Sequence, residues 1–247
     1  MSIKPHPLLF NQPPKLDECP ICLLRLPTLY TGYDILGCCG KVICYGCRCA
    51  QEAHDRANPW ICPLCRGNHP PNHQEYVRIQ ERHAESGNPV SMFAIATILM
   101  DGSEEDGLEP DVPRGLHWLF ESCNEGCEFA FWKLSNMLEA GEFVERDIDT
   151  SWELCKGAAI FGHHHARVKL AQFEMQHENY DNAVKHLLIA VTQGSLDSLN
   201  HIRDLLRSGH ATKEQYGQAI RAYKEYLDEV KSDQRDSAAN QGFEYLD

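Results

Sequence analysis

The sequence predicts a mostly α-helical fold in which a small cysteine-rich module precedes an α-solenoid, a stack of helical hairpins. Two observations predict this order. Nine of the twelve cysteines lie between residues 19 and 65, at short spacings. After residue 75, apolar residues recur at helical intervals, and the whole pattern repeats about every 36 residues. The two parts therefore need separate explanations.

Composition limits the class of protein. The chain has 247 residues, of which 43% are hydrophobic, as is usual for one or two globular domains. No apolar stretch approaches the roughly 18 to 20 residues of a membrane span, and prolines interrupt the start of the chain. Nothing in the sequence indicates secretion, so the closely spaced cysteines favour a reducing compartment, cytoplasmic or nuclear.

The charge is unevenly distributed. The net charge is −13, and after residue 70 the chain carries 31 acidic against 16 basic side chains. Nucleic-acid binding depends on clustered Lys and Arg that release counterions from phosphates. The acidity therefore argues against a nucleic-acid partner and leads to the hypothesis that the second part binds a protein segment bearing Lys or Arg.

The cysteines form three Cys-x2-Cys pairs, a spacing that lets two thiolates from one turn reach the same zinc ion. Three pairs supply six ligands, which is two short of two tetrahedral sites, and Cys38 and Cys39 supply the rest. We therefore predict two structural zinc ions. Their eight ligands are Cys19, Cys22, Cys38, Cys39, Cys44, Cys47, Cys62 and Cys65. The alternative is that Cys49 or His54 replaces Cys38 or Cys39.

The ligand order, with "CPIC" first and "CPLCR" last, resembles the RING finger family over about residues 17–67. The resemblance implies a cross-brace, in which alternate pairs share a metal. The sets would be Cys19, Cys22, Cys44 and Cys47 on one zinc, and Cys38, Cys39, Cys62 and Cys65 on the other. Common RINGs place a histidine where this chain has Lys41. In all-cysteine RING variants, the fourth ligand is the first residue of a Cys-Gly-x-x-Ile-Cys run. Here Cys39 opens such a run, "CGKVIC".

Apolar side chains stand on the knuckles: Ile21 on the first, and Pro63 with Leu64 on the last. So short a module buries little apolar surface, and structural zinc contributes on the order of 10 kcal/mol to folding. The apolar residues then form either a binding patch or packing beneath the zinc sites. The resemblance implies that they, with Trp60, bind a ubiquitin-conjugating enzyme, and that Arg66 is the linchpin cation that bridges this enzyme to ubiquitin.

Glycines mark the repeats, at Gly87, Gly126, Gly162 and Gly194. Small residues follow each glycine after four positions, and large aliphatic residues follow after eight, which traces one helical face. Glycines fifteen positions on, at 102, 141 and 209, are typical of helix ends, and only His177 departs. Each unit is therefore predicted to be a helical hairpin. The pattern resembles Sel-one-like repeats, relatives of the tetratricopeptide repeat, over about residues 85–230.

These features predict the domain organisation. A helix from residue 75 would cap the front of the array, and a helix opening with a capping box from Thr212 to Gln215 would close the rear. The expected segments are a flexible N-terminus (1–14), a RING (15–68), a linker (69–74), the repeat array (75–231) and a flexible acidic tail (232–247). The combination is similar to a family of RING-repeat proteins of diatoms and other algae.

The resemblance implies a RING-type ubiquitin-protein ligase. Its RING would hold a ubiquitin-loaded conjugating enzyme, its repeats would recruit a protein substrate or adaptor, and no residue would form a covalent intermediate. The alternative is a non-catalytic interaction scaffold whose zinc sites are purely structural. Neither interpretation needs a membrane or a nucleic acid.

Overall fold

The computed structural model describes residues 7–15, 17–28, 32–54, 61–68, 70, 72–105, 107–243 and 245–246. Within these residues, two strands of a small sheet are followed by eleven helices, which confirms the prediction of a mostly helical fold behind a small cysteine-rich region. No helix in the described part of the chain is long and apolar enough to cross a bilayer. In chain order the elements are β1 (Tyr33–Ile35), β2 (Val42–Cys44), α1 (Tyr45–His54), α2 (His73–Glu85), α3 (Pro89–Asp101), α4 (Val112–Asn124), α5 (Glu128–Ala140), α6 (Ile148–Phe161), α7 (His164–Gln176), α8 (Tyr180–Thr192), α9 (Leu196–Arg207), α10 (Lys213–Val230) and α11 (Asp233–Ala239).

The predicted anchor glycines lie in the turns that separate successive helices. Gly87, Gly126, Gly162 and Gly194 have φ angles of 88°, 83°, 114° and 94°. This left-handed region is strained for a residue with a Cβ atom, so glycine is the residue that makes the sharp turn at little cost. The repeating glycine is therefore explained by backbone conformation.

The ends of the first helix of each repeat, α3, α5, α7 and α9, follow the same rule with one exception. Gly141 caps α5 in the left-handed conformation, and its N–H donates to Met137 O at 2.8 Å. At the position where the repeat lacks glycine, α7 ends before His177, and Glu178 takes the positive φ, 60°, instead. The turn is kept although its usual residue is missing.

The small and aliphatic positions of the repeat are buried as predicted. The residues four positions after each glycine, Ser91, Ala130, Ala166 and Ser198, are all completely inaccessible to solvent. The aliphatic residues four positions further on are at most 3% exposed; they are Ile95, Leu134, Leu170 and Ile202. Small residues let helix backbones approach closely, and the aliphatic side chains fill the space between them.

The described residues divide into two compact units. The central unit comprises Asp34–Ile43 and Arg48–Leu154, and within it α3 packs against both α2 and α4. Its cores centre on Ile95 and Leu99 and on Leu119 with Leu134. Burial of these aliphatic side chains is the main stabilising contribution in this unit.

The C-terminal unit comprises Met1–Tyr33, Cys44–Cys47 and Cys155–Asp247. In it, α8 packs against α7, α9 and α10 around a core of Leu187, Val191 and Ile202. The expected capping box opens α10. Thr212 Oγ1 accepts from the N–H of Gln215 at 3.1 Å, and Gln215 Oε1 accepts from the N–H of Thr212 at 2.8 Å.

The flexibility of the two terminal segments stays a prediction, and the described residues in both make packing contacts. In the N-terminal segment, Leu9 and Pro13 are buried, and Leu9 is 3% exposed. In the tail, residues 233–239 form α11, whose first turn is capped when Ser232 Oγ accepts from the N–H of Arg235 at 3.3 Å. Long-range contacts hold the described residues of both segments against the C-terminal unit.

Candidate metal centres

Eight cysteines form two compact clusters, and they are the two sets assigned from the sequence. Within each cluster the four Sγ atoms all lie within 4.8 Å of one another. The first cluster is Cys19, Cys22, Cys44 and Cys47, and the second cluster is Cys38, Cys39, Cys62 and Cys65. The pairs alternate along the chain, so each cluster joins segments that are distant in sequence.

The sulfur spacing fits a zinc ion. A tetrahedral ion with Zn–S bonds of about 2.3 Å places its ligands about 3.8 Å apart. Three Sγ–Sγ distances are 3.8 Å for Cys22–Cys44, 3.8 Å for Cys39–Cys62 and 3.4 Å for Cys38–Cys65. All eight cysteines are free thiols. The residues of both clusters could therefore hold zinc.

Two of the three Cys-x2-Cys pairs, Cys19–Cys22 and Cys62–Cys65, adopt the same turn. In the first, the N–H of Leu23 donates to Cys19 O at 2.8 Å, and in the second the N–H of Arg66 donates to Cys62 O at 3.0 Å. Leu23 and Arg66 both follow the second cysteine of the pair, and their φ angles are 59° and 62°. Two non-glycine residues in a strained conformation at equivalent positions indicate that the turn serves the cysteines.

Backbone N–H groups point at the sulfur atoms of the second cluster. Those of Leu64 and Cys65 lie 3.4 Å from Cys62 Sγ, and that of Gly67 lies 3.4 Å from Cys65 Sγ. Burial raises the pKa of Cys62, but hydrogen bonds from the N–H groups of Cys65 and Leu64 and from the thiols of Cys38 and Cys65 together lower this pKa to about 7. The knuckle thus favours the thiolate, the form that binds metal.

The turn between β1 and β2 supplies the adjacent cysteines, and it is anchored to the central unit. Gln80 of α2 is fully buried and its Nε2 donates to Gly37 O at 3.0 Å. On the other side, Asn88 Nδ2 donates to Gly40 O at 3.4 Å. Gly40 has a φ of 65° and completes the turn after Cys39. Helix α2 and the N-cap of α3 therefore hold Cys38 and Cys39 at the cluster.

Burial, together with the neighbouring thiol of Cys62, raises the pKa of Cys39 to about 11. A divalent cation reverses this effect because it stabilises the thiolates that crowding disfavours. Cys49 lies in α1, where burial and Glu52 raise the pKa of its thiol, and it belongs to neither cluster. His54, at the end of the same helix, is exposed and is also outside both clusters.

The first cluster is buried against the C-terminal helix. Cys19, Cys44 and Cys47 are at most 4% exposed. Gly46 lies between two of these ligands, and a Cβ atom built on it would come within 2.8 Å of the backbone nitrogen of Arg235. The absence of a side chain at Gly46 therefore allows α11 to approach the metal-binding turn closely.

Arg235 connects α11 to this cluster, a role that no sequence motif around it indicates. Its side chain is 1% exposed, and Nη1 donates to Arg25 O at 2.8 Å and to Val230 O at 2.6 Å. Its Nη2 lies 3.7 Å from Cys22 Sγ. Zinc bound by four thiolates carries a net charge of about −2, so a buried guanidinium beside it balances part of that charge. The available sequence signal was Ser232, a typical N-cap before a short helix.

The residues predicted to bind a conjugating enzyme have the following environments. Ile21 is 41% exposed on the first knuckle of the C-terminal unit. Pro63 and Leu64 are half-buried on the second knuckle, and Arg66 is exposed beside them in the central unit. Trp60 lies outside the described residues. Their assignment to an enzyme-binding groove stays a prediction.

No protein-family model and no curated protein matches the sequence. Among solved structures, the chain is similar to a Sel1 repeat protein from Oxalobacter formigenes. The identity is 23%, the match covers 52% of this chain and 97% of that chain, and the TM-score is 0.47. It is also similar to c5321, a protective antigen of uropathogenic Escherichia coli with an SLR fold. There the identity is 18%, the coverage is 79% of this chain and 41% of that chain, and the TM-score is 0.45. At these identities a likeness concerns the fold alone.

Proposed function

We propose that the chain is a RING-type ubiquitin-protein ligase with a helical array that recruits a protein substrate. The supporting observation is the alternation of the two four-cysteine clusters along the chain. The two pairs of each cluster are separated in the sequence by a pair that belongs to the other cluster. Two closed four-thiolate sites suit a structural metal, since neither leaves a coordination position open for chemistry. The zinc ions would hold the loops that bind a partner enzyme.

In this proposal the chain supplies no nucleophile. Ile21, Pro63, Leu64 and Trp60 contact the conjugating enzyme, and Arg66 stabilises the reactive arrangement of that enzyme with ubiquitin. A substrate lysine attacks the thioester between ubiquitin and the conjugating enzyme. An amide bond forms, the enzyme's cysteine leaves as a thiol, and the lysine loses its proton. The ligase contributes by holding the reactants together.

A second candidate, an interaction scaffold with structural zinc, is favoured by the burial of the first cluster. Arg235 and α11 enclose that cluster within the C-terminal unit, as expected for a metal that stabilises the helical fold. A scaffold of this kind would bind zinc and protein partners and would not promote ubiquitin transfer.

The test uses the full chain with ubiquitin, the activating enzyme and a broad panel of conjugating enzymes. The ligase proposal expects ubiquitin conjugates with at least one member of the panel. Ile21→Ala should abolish them while the zinc content stays the same, because the substitution changes an exposed contact and no ligand. Phe120→Ala is the matched control, since Phe120 is a 48% exposed apolar residue of α4 without an assigned role. Silence of the unmodified chain across the panel would favour the scaffold.

A further inference from the structure

Residues 8–15, of sequence Leu-Leu-Phe-Asn-Gln-Pro-Pro-Lys, pack against the helices of the C-terminal unit. Leu9 and Pro13 are buried, whereas Leu8 and Phe10, on either side of Leu9, are 49% and 36% exposed. The segment thus has two apolar anchors four residues apart. A segment that is otherwise polar or exposed makes this contact in the manner of a bound peptide.

Arg167 of α7 holds the backbone of this segment. Its side chain is completely buried, and Nη1 donates to Leu9 O while Nη2 donates to Asn11 O at 3.3 Å. Burial lowers the pKa of Arg167 to about 10, so the guanidinium remains charged at neutral pH. A buried guanidinium needs acceptors, and here both are main-chain carbonyls, which any extended peptide can supply.

Side-chain contacts extend the interaction along the segment. The Phe10 ring lies 4.8 Å from that of His186, and Lys185 Nζ lies 5.2 Å from the Phe10 centroid. Thr192 Oγ1 donates to Gln12 Oε1 at 2.9 Å. These contacts come from α8, so the segment follows the surface formed by α7 and α8.

The last residue of the segment, Lys15, forms an ion pair with an acidic side chain. Lys15 Nζ lies 2.6 Å from Glu229 Oε1 of α10. Both side chains are partly exposed, so the ion pair adds selectivity more than stability. The surface therefore accommodates an aliphatic residue, a proline four positions later and a lysine two positions after that.

We propose that this surface of α7, α8 and α10 is a peptide-binding groove, that residues 8–15 are its intramolecular occupant, and that the array takes partners with the same pattern. A partner segment would displace residues 8–15, place its own carbonyls on Arg167 and its own lysine against Glu229. The proposal deepens the proposed recruitment of a protein by the array. It also gives the expected Lys-bearing partner a specific location.

The test measures binding of a fluorescent peptide with the sequence of residues 7–15 to the full chain, without any ubiquitin component. Leu9→Asp is expected to release the intramolecular segment, because it replaces an apolar anchor that is 3% exposed with a charged side chain. The peptide should bind the Leu9→Asp chain at least tenfold more tightly than the unmodified chain. Leu8→Asp, at the exposed neighbouring residue, is the matched control and should behave as the unmodified chain. Adding Arg167→Met to Leu9→Asp should weaken binding at least tenfold.

Equal peptide binding by the folded Leu9→Asp chain and the unmodified chain would overturn the proposal. If Leu9→Asp does not fold, hydrogen exchange on the unmodified chain tests whether residues 8–15 can leave the groove. Amides of residues 8–12 should exchange at least tenfold faster than those of the α7 and α8 cores, because the segment leaves without unfolding the array. Equal exchange rates for the segment and for the helix cores would show that the segment is a permanent part of the core, and would overturn the proposal. Since no ubiquitin transfer is measured, failure here leaves the ligase test undisturbed.

Discussion

Arg235 Nη2 lies 3.7 Å from Cys22 Sγ, although the two residues are 213 positions apart. The contact places a buried cation from the end of the chain beside a cluster of four thiols near its beginning. Groups that surround metal ligands orient them and tune their charge, and they affect metal affinity without touching the ion. The C-terminal helix is therefore expected to be part of the first metal centre.

Replacing Arg235 with methionine should lower the affinity for one of the two zinc ions by about tenfold to 100-fold, because the thiolates lose a compensating charge. The carbonyls of Arg25 and Val230 also lose their buried donor. Titration against a chromophoric chelator measures both zinc affinities. Arg207→Met, at a 71% exposed arginine, is the control and should leave both unchanged. Two unchanged affinities in Arg235→Met would refute the role of this residue.

Two glycine-to-alanine substitutions in helices should have opposite effects on stability. Gly46→Ala places a methyl group 2.8 Å from the backbone of Arg235 and should destabilise the C-terminal unit by about 1–3 kcal/mol. Gly217→Ala, in α10, meets only the flexible end of Arg221 at 3.5 Å and should stabilise by up to about 1 kcal/mol through helix propensity. Thermal unfolding measures both. A stabilising Gly46→Ala would show that α11 does not pack on this turn.

Local patterns were predictable from the sequence, and long-range polar contacts were not. The cysteine spacing predicted eight ligands for two ions because a Cys-x2-Cys knuckle forms within one turn, and the resemblance to RING fingers implied how they divide into two clusters. The glycine period predicted the hairpins because a left-handed φ needs glycine. Arg235 and Arg167 sit in ordinary helical sequence, and their partners are 210 and 158 residues away. No local signal reports such a contact, so the roles of these two arginines could not be predicted from the sequence.

The array should lose stability in acid through His186, which is completely buried. Burial, with Arg167 and Lys185 facing the ring, lowers the pKa of His186 to about 3, below the roughly 6.5 of an unfolded chain. The unfolded state then takes up a proton that the folded state excludes, so stability present above pH 6.5 is lost as the pH falls toward 3. At pH 5 this loss is about 2 kcal/mol.

Urea unfolding at pH 7 and pH 5, in saturating zinc, measures this effect. The difference in unfolding free energy between the two pH values should shrink by about 2 kcal/mol in His186→Leu. His54→Leu, at an exposed histidine, should keep the difference seen in the unmodified chain. The same pH dependence in His186→Leu as in the unmodified chain would contradict the burial of a neutral imidazole.

The central claim is that the two clusters hold two zinc ions and that both adjacent cysteines are ligands. Elemental analysis of the purified full chain and of three single variants, Cys38→Ser, Cys39→Ser and Cys49→Ser, tests it directly. Two zinc ions per chain are expected in the unmodified protein and in Cys49→Ser, because Cys49 lies outside both clusters. One zinc ion should remain in Cys38→Ser and in Cys39→Ser. Loss of zinc from Cys49→Ser, with two ions retained in Cys38→Ser, would contradict the account.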